Sequence, residues 1–147
     1  MRILLDEDPP GQIVEPLRQV LRRHEIRGIH EIGWSGKKDP QVLRDLKSST
    51  PRFEIFLTND KSQLTSPDLC VLIKKAAVHH VRYDQGSGTL GLALAMAAII
   101  AAMPRVMEDL ESAQGQRLVK IKSLDRASVR HEIVDPAKQP PSPYWPR

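Results

Sequence analysis

Short apolar runs that end in acids alternate along this chain with longer stretches at helical spacing. Ile3-Leu4-Leu5 is an aliphatic run stopped by Asp6-Glu7-Asp8-Pro9-Pro10, the mark of a buried strand and its exit loop. Ile13, Leu17, Val20 and Leu21 recur at helical spacing with arginines between them. They predict an amphipathic helix in which Pro16 is tolerable only near the first turn. Residues 26–32 alternate, Ile26/Gly28/His30/Ile32 against Arg27/Ile29/Glu31, and predict a second strand before the loop Gly33-Trp34-Ser35-Gly36. Asp39-Pro40 reads as an N-cap and first turn of a helix with Val42, Leu43 and Leu46 inward. Residues 53–58 form a third predicted strand. Ser66-Pro67-Asp68 opens a helix with Leu69, Leu72 and Ile73 inward, and residues 78–83 form a fourth strand. Thr89 is the expected cap of an apolar helix that Pro104 should kink or break. Residues 117–122 and 129–134 alternate on either side of the turn Ser123-Leu124-Asp125-Arg126 and predict a closing β-hairpin.

Strand and helix in regular alternation imply an α/β fold, three layers around a mostly parallel central sheet, with the hairpin at its end. A chain of 147 residues is long enough for one such domain. We place it at residues 1–135. Residues 136–147 carry five prolines in twelve positions and read as a flexible tail. The single cysteine, Cys70, excludes an internal disulfide. Acid arrives too early at the N-terminus for a secretory signal. The apolar run from Leu90 to Met103 suits a buried helix rather than a bilayer span. The expected compartment is therefore the cytoplasm, with no membrane partner. With 22 basic and 18 acidic residues the net charge is only +4, too small to name a polyanionic partner.

The positions of the acids say more than their number. Asp6, Asp60 and Asp84 each fall just past a predicted parallel strand, and Asp39 opens a helix at what should be the same edge. Ligands of such sheets sit at the carboxyl ends of the strands. Carboxylates gathered there repel one another and call for a hard cation, Mg²⁺ or Mn²⁺. Such an ion can activate water and offset charge on a phosphoryl group. Singly, each acid has an ordinary explanation: Asp39 as a cap, Asp84 as a turn former.

Leu4-Leu5-Asp6-Glu7-Asp8-Pro9-Pro10, the segment from Ile32 to Leu43 containing Gly33-Trp34, Gly36, Asp39 and Val42-Leu43, and Leu57-Thr58-Asn59-Asp60-Lys61 stand in that order. Together they resemble the motifs of the small PIN-like family of the Mut7-C type, over roughly residues 1–83. The resemblance implies a PIN-like fold, Mg²⁺ or Mn²⁺ at an acidic site, and RNA cleavage. It also implies a toxin of the VapBC kind held by a cognate antitoxin. By this resemblance Asp6, Asp39 and Asp60 are the expected catalytic and metal-binding residues, with Glu7 and Asp84 as further candidate ligands. Arg82, Lys61, Lys37, Lys38 and Trp34 are candidates for contact with RNA. The family often has a further acid and a phenylalanine where this chain has Ser62 and Gln63. A PIN-like binding protein without catalysis is one alternative. A receiver-like regulatory domain with Asp60 as phosphoacceptor, Asp6, Glu7 and Asp8 beside it and Lys120 on a late strand is another.

Gly86-Ser87-Gly88-Thr89-Leu90-Gly91 has the spacing of a dinucleotide-binding loop. No acid follows at the end of a next strand, so a loop and helix start is the favoured reading. His79 and His80 are neighbours on a strand and point to opposite faces, which rules out joint chelation. The alanine-rich helix from Leu90 is apolar nearly all round and suits either the core or a dimer or antitoxin interface. Arg117, Lys120, Lys122, Arg126 and Arg130 form the densest basic stretch, fit either to follow a phosphate backbone or to be solvated.

Overall fold

The computed structural model describes residues 1–7 and 11–124. Five strands, β1 (Arg2–Leu5), β2 (Glu25–Gly28), β3 (Ile55–Thr58), β4 (His79–Tyr83) and β5 (Leu118–Ile121), form one sheet in the order β2-β1-β3-β4-β5. Every neighbouring pair is parallel. The connections are the helices α1 (Val14–Val20), α2 (Asp39–Ser48), α3 (Pro67–Ala76) and α4 (Gly88–Glu111). The three-layer α/β architecture expected from the pattern is what is found.

Strand alternation divides the core in two. Ile3, Leu5, Ile55, Leu57, Val81 and Tyr83 face α1 and α4. Leu4 and Phe56 face α2 and α3, where Val42, Leu43, Leu46 and Ile73 cover them. Each fully buried aliphatic side chain contributes roughly 1.5–3 kcal/mol, so both faces hold the sheet. The β4–α4–β5 crossover differs from the rest. It steps across the sheet in the same direction as β2–α2–β3 and β3–α3–β4, yet α4 packs on the face of α1. Its hand is therefore opposite to that of the other three crossovers, against the usual rule for parallel sheets.

Several local expectations are corrected. The second strand stops at Gly28, and Ile29–Ile32 is a 3-10 turn. Glu31 folds back to accept a hydrogen bond from the Gly28 amide at 2.8 Å, and Gly33 ends the turn at φ 71°. Strand alternation in the sequence carried no sign of that side-chain bond. Asp39 is not the cap of α2 but its first helical residue, with Lys38 in the cap position. Ser87, not Thr89, precedes α4. That helix also runs unbroken through Pro104 for 24 residues. Pro104 itself is exposed, while Met103, Met107 and Leu110 anchor the helix to the core on either side.

By length and composition α4 could cross a bilayer, with a mean hydropathy of 1.9 over its most apolar 18 residues. In this fold its inner residues Leu94, Ala95, Ala98, Ile99 and Met103 are buried within the domain. Residues 117–122 do contain a strand, β5, parallel to β4. The second arm of the expected hairpin, residues 129–134, and the proline-rich tail lie outside the described residues.

Candidate acidic site at the carboxyl edge of the sheet

The chain leaves β1 for β2 on one side and reaches β3 on the other. The carboxyl ends of β1 and β3 therefore flank the crevice where a doubly wound sheet changes direction, the place where such sheets bind ligands. Asp6 follows β1 and Asp60 stands two residues past β3. Thr58, fully buried at the end of β3, ties them together. Its hydroxyl donates to Asp6 Oδ2 at 2.7 Å and accepts from the Asp60 amide at 3.0 Å. The Asp6 amide donates to the Leu57 carbonyl at 3.0 Å, and Asp6 Oδ1 accepts from the Glu7 amide at 2.8 Å. Thr58 thus ties the Asp6 carboxylate to the backbone of Asp60.

Asp39 enters from α2. Its carboxyl is pushed up to about 6, first by burial and then by Asp60 and Asp6 facing it. Asp60 moves the other way. Burial would raise it, but hydrogen bonds from the Ser62 side chain and amide and from Asp39 outweigh burial and lower it. The Ser62 amide lies 2.7 Å from Asp60 Oδ1. Neighbouring acids that repel one another are expected to move in opposite directions in this way. Asp39 thus lies within electrostatic reach of both Asp60 and Asp6.

The other acids are engaged elsewhere. Glu7 is exposed and accepts from the Gly36 amide at 2.6 Å, which pins the Gly33–Gly36 loop. Asp84 lies between Lys61 and Lys120, with each Nζ at 3.3 Å. Burial would raise its carboxyl, but the two lysines outweigh burial and hold it low.

Among the RNA-contact candidates, Trp34 is half-buried, packs edge-on against Phe53 with ring centroids 6.5 Å apart, and lies under Lys37 Nζ at 4.3 Å. Lys37 also pairs with Asp45 at 2.6 Å. Both have firm structural roles. Lys38 is exposed and borders a cleft of 470 Å³ shared with Lys37, Asp39, Pro40, Ser66 and Asp68. Arg82 lies across from Thr58 in the β3–β4 register and is half-buried, with its Nε buried and unpartnered.

Behind the acids sit two fully buried polar side chains, Gln63 and His80. Their roles were not legible beforehand. Gln63 stood out only as a departure from the family motif, and His80 shares the polar–apolar alternation of any half-buried strand. His80 faces Phe56, ring to ring at 6.1 Å. His79 points the other way and accepts from the Arg117 amide at 3.0 Å. The glycine loop has its own explanation. A Cβ on Gly91 would stand 2.1 Å from the Gly86 carbonyl oxygen, so glycine is needed there for the loop to cross the helix start.

An all-oxygen donor set of Asp6, Asp39 and Asp60 fits Mg²⁺ or Mn²⁺ chemically. Among the described residues, no three His, Cys, Asp or Glu side chains already stand at metal-holding distance. Compared with known proteins, the chain matches no family model, no curated protein and no solved structure.

Proposed function

We propose that this protein is a Mg²⁺- or Mn²⁺-dependent endoribonuclease of the PIN-like kind, acting in the cytoplasm. The observation that carries the reading is the nearness of Asp39 to Asp60 and Asp6 at the β1–β3 crevice, with Asp39 driven up first by burial and then by those neighbours. A divalent cation held by these three carboxylates would offset their repulsion. It would supply Lewis-acid polarisation of a phosphodiester and of water. Thr58 and the Ser62 amide orient Asp6 and Asp60. Asp39 would hold the cation or a water bound to it. Arg82 and the exposed Lys38 would meet phosphates along an RNA strand. The toxin–antitoxin role belongs to this proposal. Leu90, 55% exposed, and the exposed Ala93, Ala97 and Ala101 on the same helix are the apolar surface that an antitoxin or second copy would cover.

Cleavage of a structured RNA by the purified full chain, dependent on added Mg²⁺ or Mn²⁺, is the test. Asp6→Asn and Asp60→Asn should each cut it about 100-fold. No cleavage, or cleavage undiminished in both variants, would sink the reading.

One observation favours a receiver-like phosphoacceptor: the order β2-β1-β3-β4-β5 with Asp60 after β3 is also that of receivers. Three observations support the nuclease over it. Lys120 pairs with Asp84 rather than Asp60. Glu7 turns to Gly36. The last crossover has the opposite hand. Incubation with a small phosphodonor separates the two, since a receiver would carry an acyl phosphate on Asp60. A PIN-like binder without catalysis predicts cation and RNA binding but no cut product.

A further inference from the structure

On β4, Arg82 is in register with Thr58 of β3 on one side and with Lys120 of β5 on the other. Residues opposite one another in a sheet point to the same face. Val81 and Tyr83 face α1 and α4, so Thr58, Arg82 and Lys120 form a row on the opposite face. The row starts at Thr58, which holds Asp6. Arg82 is half-buried with its Nε enclosed, and among the described residues no hydrogen bond or ion pair holds its guanidinium. A charge drawn partly out of water without a partner costs free energy, and a guanidinium fork matches a phosphate. Two residues on, Asp84 is already engaged by Lys61 and Lys120, at 3.3 Å each. Three cations thus surround one carboxylate, and Arg82 is left over. Past Arg82 this face of the sheet is open. The apolar cluster under α2 and α3 contains Leu4 and Phe56 but no residue of β5. Leu118 is 60% exposed and the Lys120 side chain 57%. Between α3 and β5 lies a cleft of 360 Å³ lined by Leu64, Cys70, Ile73, Lys74, Gln116 and Leu118.

We infer that this face is the track of one unpaired RNA strand: Arg82 and Lys120 take its phosphates beyond the acids, and its bases lie against Leu118 and the cleft beside it. A positive track next to apolar surface is how sequence-tolerant proteins hold single strands. A duplex keeps its bases stacked on one another and gains the phosphate contacts alone. The inference rests on the RNA reading above. It adds the direction the strand takes, over β4 toward β5, and the preference for unpaired segments. Its contacts need no cation.

Binding of a short labelled poly-uridine RNA to the full chain in EDTA, over a range of salt, tests this apart from cleavage. Arg82→Gln should weaken binding about 10-fold. It should also lower the slope of log affinity against log salt by about 0.7, the share of one phosphate contact on a single strand. Lys120→Gln should lower the slope by about the same amount. Leu118→Glu, at an exposed position, should weaken binding about 10-fold, and it serves if Arg82→Gln does not fold. An RNA duplex should bind about 10-fold more weakly than the single strand. Wild-type affinity and slope in the folded variants would overturn this inference alone. So would a loss of affinity in Arg82→Gln with the slope unchanged, or a duplex held as tightly as the strand. An unmutated chain that binds no RNA in EDTA but cuts it when Mn²⁺ is added would likewise overturn this inference and leave the nuclease reading standing. Neither binding nor cutting would overturn both.

Discussion

The two ends of the sheet handle their carboxylates in opposite ways. At the amino edge, Arg2 grips Glu25 at 2.7 Å and Arg27 adds a second contact at 3.1 Å. Glu54 accepts from the Arg2 amide at 2.9 Å and lies 3.9 Å from the N-terminal amine. Glu25 is accordingly held down to about 2, chiefly by the Arg2 hydrogen bond and next by Arg27. At the carboxyl edge, burial and then the facing Asp60 and Asp6 raise Asp39 to about 6. Acids paired with bases belong to the scaffold and lower their own free energy. Acids paired with acids raise theirs, and that is sensible only where a cation or a proton is to be exchanged.

The largest effect should therefore be on activity at one end only. Asp60→Asn is expected to cut cation-dependent RNA cleavage about 100-fold, the order lost with one electrostatic group of an active site. Glu25→Gln should leave the same assay within about twofold. Equal losses would erase the distinction.

Next comes stability. A raised folded value means the native state keeps its Asp39 proton longer than the unfolded chain does. Stability should then fall as pH rises from 3.8 toward about 6 and stay reduced above it. Without divalent cations, Asp39→Asn should stabilise the protein at pH 7.5 by about 1–2 kcal/mol after solvent screening. It should do almost nothing at pH 3.5. Chemical denaturation at the two pH values measures this, and destabilisation at pH 7.5 would count against the arrangement.

Glu25→Gln runs the other way. The lowered value adds stability that is present above about 4.5 and is lost as pH falls toward about 2. A loss of about 0.2–1 kcal/mol is expected at pH 7 for so exposed a pair, fading in acid. Asp84→Asn should have the least effect on the cation. Its carboxylate is already matched by Lys61 and Lys120, so Mn²⁺ affinity should stay within about twofold. A tenfold loss would bring Asp84 into the site.

Much of this was legible in the chain. Runs such as Ile3–Leu5 and Phe53–Thr58 marked the strands, because a sheet buried on both faces needs continuous apolar sequence. Their acidic stops marked the edge where Asp6 and Asp60 meet. Helix limits were less legible. Ser87 and Lys38 make no side-chain cap, so the cap preferences had no local bond to report.

The sequence by itself determined the α/β alternation, the two apolar faces and the strand-end acids, since each follows from residue period and local stops. Tertiary structure alone decided which acids meet. Glu7 and Asp84 stand at strand ends like the others, yet one turned to a backbone amide and the other to two lysines. The buried Gln63–His80 pair joins residues 17 apart in the chain. No local period records such a contact, because the energy of a carboxylate or amide depends on what the fold sets opposite it.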